Sequence, residues 1–182
     1  FSVIIPAFNR SEPLRDAIPS VLVQPFHDFE IVVVDDGSVE APRSVVEAIG
    51  APRLRFFRPD TRGGGAARNA AIDAARGRFV APLDSDDIFL PHHLESMKAL
   101  LDETENTVGY ARIIVDRGKG RTFLKPPRAI RPGEHMAEYL LCERGFVPTI
   151  TVAVETKTAR RIRYDDNLRT AEDTDFAIRL FL

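Results

Sequence analysis

The chain is predicted to fold as an α/β domain on a parallel, doubly wound sheet, and three observations predict it. Continuous apolar runs at Ser2–Pro6, Phe29–Val34 and Phe79–Leu83 have the length and branched content of strands buried on both faces. Segments with apolar residues at helical spacing alternate with them, which is the order of βαβ units. Two acidic clusters, Asp35-Asp36 and Asp84-Ser85-Asp86-Asp87, close two of the runs. In such sheets ligands collect at the carboxyl ends of the strands, so both clusters are expected on one edge.

Taken in order, the first strand breaks at Pro6 and exits through Ala7-Phe8-Asn9-Arg10. Ser11 offers an N-cap, and Leu14, Ala17, Ile18, Val21 and Leu22 mark an amphipathic helix to about Val23, which Pro19 should kink or shorten. After the second strand, Pro42 to Ile49 reads as a helix ended by Gly50, and Leu54 to Phe57 as a third strand. Arg62-Gly63-Gly64-Gly65 then leads into an Ala-rich helix, Ala66 to Ala75, stopped by Gly77. Pro91 suits the first turn of a helix through Leu94, Met97 and Leu101. Beyond about residue 106 the pattern changes. Val108 to Val115 and Arg121 to Leu124 read as a hairpin around Arg117-Gly118-Lys119-Gly120. A proline-interrupted connection follows, then a helix near Met136 to Cys142, a strand from Thr149 to Val154 and a last helix from Asp173 to Leu182.

The 182 residues suffice for one domain with a sizeable core, and 44% hydrophobic with 29% charged residues is ordinary for a soluble protein. No apolar run is long enough to cross a bilayer, and the first residues read as a strand rather than a signal peptide. The net charge of -2 and pI near 6.1 provide no general attraction to nucleic acid. One cysteine, Cys142, fits a reducing compartment and reads as a small buried apolar residue. The chain begins at Phe1 without a methionine and stops at Leu182 inside a helical pattern, so a longer protein is expected.

Each candidate motif admits a plain reading beside a functional one. Asp84 and Asp86, one residue apart on extended backbone, are hard oxygen ligands suited to Mg²⁺ or Mn²⁺ holding a diphosphate; Asp, Ser and Asp are also ordinary turn formers. Asp35 and Asp36 either accept a base imide N–H or make an Asx turn. The glycine run is no P-loop, because Ala66-Ala67-Arg68 follows where Lys-Ser or Lys-Thr is needed. It leaves a loop at a helix N-terminus with Arg62 and Arg68 as diphosphate partners, or simply a tight turn. Glu172 and Asp173 suit a general base or a helix-capping role. His92 and His93 are adjacent and point about 100° apart on a helix, a poor arrangement for one ion. The cations Arg117, Lys119, Arg121, Lys125, Arg128 and Arg131 lack interleaved aromatics beyond Phe123 and read as a solvated hairpin, with an anionic acceptor as the other reading.

In order and spacing, Val3 to Asn9, Glu30 to Ser38, Gly64 to Ala71, Leu83 to Asp87 and Glu172-Asp173 resemble the motifs of family 2 glycosyltransferases with the GT-A fold. The resemblance covers nearly the whole chain. It implies a Rossmann-like, mainly parallel central sheet flanked by helices, in one domain with a nucleotide-binding half (1–106) and a smaller, mixed acceptor-side half (107–182) that is incomplete at its C-terminus. The implied reaction is a metal-dependent, inverting transfer of a hexosyl or N-acetylhexosaminyl group. The donor is a nucleotide diphosphate sugar, usually a UDP-sugar, and the acceptor a hydroxyl on a carbohydrate or lipid-linked molecule in polysaccharide or glycolipid synthesis. A cytoplasmic location, peripheral to the membrane at most, goes with it.

Carried over by motif, Pro6, Ala7, Asn9 and Asp36 hold the nucleoside, with Asp36 on the base. Arg62 or Arg68 lies near the base or diphosphate, and Ser85 belongs to the donor site. Asp84 approaches the ribose or sugar beside the metal, Asp86 binds Mn²⁺ or Mg²⁺, and Asp173 deprotonates the acceptor. The Gln-x-x-Arg-Trp motif of processive synthases is absent and there is no Trp, so a non-processive enzyme is expected. A nucleotidylyltransferase would need a basic, Gly-rich loop where Ala7 to Pro13 stands. A nucleotide-sugar binding module without turnover remains the alternative from a different class.

Overall fold

The computed structural model describes residues 1–39, 42–104, 107–143 and 145–182; the expected division at residue 106 falls outside them. The apolar run at the N-terminus forms β1 (Ser2–Ala7), followed by α1 (Leu14–Leu22) and β2 (Glu30–Asp35). Next come α2 (Pro42–Ile49), β3 (Leu54–Phe57), α3 (Gly64–Ala74) and β4 (Phe79–Pro82). The first three strands pair in parallel, Ser2 opposite Glu30 and Ile31 opposite Leu54, while β4 joins β1 from the other side, with Ser2 opposite Val80.

Because strand side chains alternate, one sheet fills two cores. Val3 and Ile5, with Ile31 and Val33, face α1 and α2 and the later helix α4 (His93–Thr104). Ile4, Val32 and Val34 face α3, whose Ala67, Ala71 and Ile72 let the helix lie close to the strands. At the amino-end edge Glu30 accepts hydrogen bonds from Ser2 Oγ at 2.7 Å and Arg55 at 2.7 Å.

Chain direction changes after α4. The short strand β5 (Val108–Tyr110) joins the main sheet, whereas β6 (Ile113–Asp116) and β7 (Thr122–Lys125) form a separate antiparallel hairpin. Then follow α5 (Met136–Leu141), a 3₁₀ turn at Thr149–Thr151, β8 (Val152–Glu155), α6 (Thr156–Ile162) and α7 (Glu172–Leu180). The main sheet has the order β3-β2-β1-β4-β8-β5, and β8 runs antiparallel to both neighbours. The fold is thus α/β with a mainly parallel six-stranded sheet flanked by helices, and with a smaller antiparallel sheet.

Several expectations need correction. Ser11 does not cap α1: the helix starts from Pro13, and the Ser11 hydroxyl is buried without a hydrogen bond. Pro19 is absorbed within α1, where its missing N–H costs a single bond. The helix after the glycines starts at Gly64, so two of the three glycines are helical. Pro91 precedes α4 by two residues, and the buried Gln24 side chain takes over at that end, accepting from the Leu94 N–H and donating to the Leu90 carbonyl. The run Val108 to Val115 is split between two sheets, and Thr149 to Val154 between a 3₁₀ turn and a strand. The helix α6 was not expected; its Arg160 donates to the Ala75 carbonyl at 2.7 Å, which satisfies the C-terminal end of α3. Cys142 is exposed, because α5 buries Met136 and Tyr139 and ends before it.

Gly77 is where the connection into β4 crosses the start of β1. A Cβ there would lie 2.5 Å from the Phe1 carbonyl carbon and 2.7 Å from the Ser2 nitrogen. Gly77→Ala should therefore destabilise by about 1–3 kcal/mol, as overpacking does. Urea denaturation checks it, and an unchanged midpoint would mean that the first strand shifts freely.

Candidate active site

The strand order reverses beside β1, which sends its chain to β2 and later receives β4 on its other flank. The crevice at the carboxyl ends of these strands is a cavity of about 630 Å³. The end of β1 contributes Pro6, Ala7, Phe8 and Arg10 to its wall, and Asp36 follows β2. The segment before and into α3 adds Thr61, Arg62, Gly63, Gly64 and Arg68, and the loop after β4 adds Asp84, Ser85 and Asp86. Eight of the ten residues singled out from the sequence thus meet in one cavity; Asn9 and Asp173 do not line it.

The two aspartates after β2 divide. Asp35 is buried and structural, accepting from the Ser38 N–H at 2.9 Å and pairing with Arg58 at 3.4 Å. Asp36 turns to the cavity, where one oxygen accepts from the Gly63 N–H at 2.8 Å. Gly63 has φ of 104°, a conformation that side chains rarely adopt, and it is the residue before α3. Asn9 explains itself as a brace rather than a wall: its N–H donates to Ser38 Oγ, its side-chain oxygen accepts from the Val39 N–H, and its φ is 51°. It holds the loops after β1 and β2 together.

Arg68 is buried at 8% exposure and ties the later part of the chain to this edge. It donates to Asp84 at 2.6 Å and to Glu172 at 3.0 Å, and its guanidinium lies over the Tyr164 ring, 5.5 Å from the centroid. Tyr164 stacks on Phe176 of α7 at 4.0 Å, and Asn69 clamps its backbone N–H and carbonyl at 2.9 Å each. Burial, joined by the charges of Asp84 and Asp173 and opposed by Arg68, pushes the Tyr164 phenol up. Asp84 and Asp173 thus act on one ring. Asp173 itself is half-buried in the first turn of α7, next to Glu172, and accepts from the Thr174 N–H at 2.7 Å.

The mouth of the cavity is acidic. Asp86 pairs with Arg10 at 2.9 Å, both side chains about half exposed. Desolvation, with the neighbouring carboxylates of Asp84 and Asp86, pushes Asp87 up to about 6. Three side-chain atoms of the wall are buried without a hydrogen-bond partner: Asp36 Oδ1, Thr61 Oγ1 and Arg68 Nε. Such atoms are costly unless a ligand or water completes them. Arg62 is exposed at the rim.

A second cavity of about 520 Å³ adjoins the first and shares Asp86 with it. Its wall includes Ile88, Phe89, Leu90 and the hairpin residues Ile113 and Ile114. His93 stacks on Phe89 at 4.1 Å, and burial lowers it to about 4, so it stands there as a neutral ring. His92 pairs with Glu95 instead. Among the described residues, no group of three or more His, Cys, Asp or Glu is arranged to hold a metal ion by itself.

Sequence reasoning missed Phe8, which is 56% exposed in the cavity wall, and Arg10. Both follow directly on the Pro6-Ala7 strand end, and that position was the available signal. Tyr164 carried no signal, because its importance comes from meeting Asn69 of α3 across 95 residues of chain; Asn69 lay inside the Gly64 to Ala71 motif, but nothing there named its partner.

Comparison with known proteins places this site in context. The amylovoran biosynthesis glycosyltransferase AmsB of Erwinia amylovora is 31% identical over 98% of the chain, which spans 63% of that protein. The succinoglycan biosynthesis protein ExoO of Rhizobium meliloti is 32% identical over 93% of the chain, which spans 52% of it. Among solved structures, S. aureus TarS 1-349 superposes over the whole chain with a TM-score of 0.82 at 26% identity, the chain covering 55% of it. The same protein in complex with UDP-GlcNAc gives 0.81 at 26% identity, with 53% of that chain covered. The profile of Glycosyl transferase family 2 matches residues 2–169. With that match across the strand ends that build the cavity, the chain belongs to glycosyl transferase family 2.

Proposed function

We propose that the chain transfers a sugar from a UDP-sugar to an acceptor hydroxyl with inversion, without processivity, in the synthesis of a polysaccharide or glycolipid. The observation that carries this reading is the cavity at the strand reversal, whose wall leaves Asp36, Thr61 and Arg68 each with a buried polar atom unmet. Supporting it are the UDP-GlcNAc complex of TarS and the roles in amylovoran and succinoglycan synthesis of AmsB and ExoO. Residues 1–106 act as the nucleotide-binding half and 107–182 as the acceptor-side half of one domain.

In this reading, Pro6 and Ala7 form the floor under the nucleoside and Phe8 offers a ring face to the base. Asp36 accepts the base imide N–H through the unmet oxygen. Arg68 is engaged by Asp84 and Glu172, so Arg62 is the cation left for the diphosphate. Asp84 and Ser85 approach the ribose or sugar. Asp173 takes the proton of the acceptor hydroxyl as its oxygen attacks the anomeric carbon, and the carbon–oxygen bond to the diphosphate breaks with its electron pair on the phosphate.

The residues also fit a divalent cation, Mn²⁺ or Mg²⁺. Asp84 and Asp86 are hard oxygen donors at the cavity mouth, and their charges add to the desolvation that raises Asp87. Two protein carboxylates leave positions for phosphate oxygens, which is the usual arrangement for Mg²⁺. When bound, the ion would neutralise the departing diphosphate. Arg10 pairs with Asp86, and Arg68 fixes the orientation of Asp84.

Calorimetry with UDP tests the donor site. Binding should strengthen with Mn²⁺, and Asp86→Ala should weaken the metal-supported binding at least about tenfold; UDP binding indifferent to both changes would refute the assignment. Asp173→Asn should keep UDP affinity and lower sugar transfer by about 10²–10⁴. Retained transfer in that variant would remove Asp173 from the role of base. The Asp87 carboxyl, raised from 3.8 to about 6, contributes stability that is full below about pH 4 and lost as pH rises through about 6. Asp87→Asn should therefore raise the Tm at about pH 7 and leave it unchanged at about pH 4, with Mn²⁺ narrowing the difference. Thermal melts at the two pH values check this, and an equal shift at both would sink it.

A further inference from the structure

The hairpin of β6 and β7 supplies no group that the proposed transfer uses as base, metal ligand or donor contact, yet its surface has a definite character. Its turn carries Arg117, Lys119 and Arg121, all exposed, and none of the three forms an ion pair with a described residue. Arg117 lies over the Phe123 ring at 5.2 Å, which leaves its charge to solvent. Two residues back from the turn, Ile114 sits directly opposite Leu124, and the two are 51% and 50% exposed. Residues directly opposite in an antiparallel pair share one face, so they form an aliphatic patch. Ile114 also borders the second cavity, whose wall carries Ile88 and Leu90, 55% and 51% exposed. The chain as a whole has a net charge of -2, whereas this turn, with three exposed cations beside the exposed Asp116, is locally positive.

Single exposed aliphatic residues are ordinary. An aliphatic pair across two strands, a second pair beside the same cavity and three unpaired cations at the adjacent turn are a combination suited to one environment. Anionic headgroups answer the cations, and the boundary of the acyl region answers the aliphatic side chains. A soluble anionic polymer would answer only the charges and leave the aliphatic patch in water. We propose that the hairpin docks on an anionic lipid surface, with Arg117, Lys119 and Arg121 among the headgroups and Ile114 and Leu124 at the acyl boundary. The second cavity, which shares Asp86 with the donor cavity, then opens beside the membrane, where a lipid-linked acceptor hydroxyl arrives. Attachment of this kind needs neither donor nor metal, and among the described residues no helix is long and apolar enough to cross a membrane.

Vesicle sedimentation tests the proposal. The chain should sediment with phosphatidylcholine vesicles containing phosphatidylglycerol, not with phosphatidylcholine alone, and added salt should release it. The combined variant R117E/K119E/R121E should lower partitioning by at least about a hundredfold, since each cation near an anionic surface contributes about fivefold and the reversed charges add repulsion. Ile114→Ser with Leu124→Ser should weaken binding by about tenfold while leaving its salt dependence. Circular dichroism melting verifies that each variant folds, and R117Q/K119Q/R121Q replaces the charge reversal if that variant does not. Equal binding to neutral vesicles, undiminished binding by the charge variant, or capture by soluble dextran sulfate without sedimentation on anionic vesicles would each overturn the proposal.

Discussion

The buried guanidinium of Arg68 is the constraint on which the site depends. It leaves α3, reaches Asp84 at the end of β4 and Glu172 at the start of α7, and so joins groups 16 and 104 residues away. Because the guanidinium is almost wholly withdrawn from water, losing either carboxylate leaves a buried N–H group without its acceptor, at a cost of about 1–3 kcal/mol, while the other carboxylate still balances the charge. The planar fork serves both acids at once, which a lysine would not do. Tyr164 beneath it and Asn69 beside it complete the support, so the loop before α7 is held against the same helix that lines the cavity at the strand ends. The geometric relation between the donor side and Asp173 follows from this cluster.

The edge outside Arg68 has the opposite character. Asp84, Asp86 and Asp87 crowd carboxylates at the mouth, where Arg10 pairs with Asp86, and desolvation together with the charges of Asp84 and Asp86 drives the upward shift of Asp87. In the proposed reading, a cation and a diphosphate would satisfy such an edge together. The cavity's buried, unmet atoms and the crowded carboxylates are two signs of one incompleteness, the first in hydrogen bonds and the second in charge. On the far side of Asp86 the surface becomes aliphatic and then, at the hairpin turn, cationic. The polarity of the molecule thus changes across a single aspartate shared by two cavities.

Much of the fold was legible because the relevant physics is local. Val32, Val33 and Val34 are buried on both sheet faces, and such continuous runs announce a covered strand wherever they stand. Pro42 to Ile49 and Leu54 to Phe57 are found at the expected bounds. What misled were residues whose role is settled at a distance. Ser11 has the chemistry of a cap but not the position, and Gly64 and Gly65 have loop chemistry yet lie in a helix first turn. Cys142 has the chemistry of a core residue but follows a helix that ends one position too early to bury it. The reversal of β8 and the split of Val108 to Val115 between two sheets depend on which strand lies next to which, and no spacing encodes that.

For the site the division is similar. The sequence by itself determined which chemistry is available: carboxylates at strand ends, a glycine run before a helix, an acidic pair opening another, and the order that marks the family. These follow from short-range rules of residue type and spacing. Only the tertiary structure decided how the work is shared. Asp35 is inward and Asp36 outward because the strand ends between them. Asn9 braces while Phe8 lines the wall because a left-handed residue turns the loop there. Arg68 is engaged while Arg62 is open because partners from residues 84 and 172 reach the former and not the latter. Those contacts join segments separated by tens of residues, and their existence is a property of the packed sheet rather than of any stretch of chain.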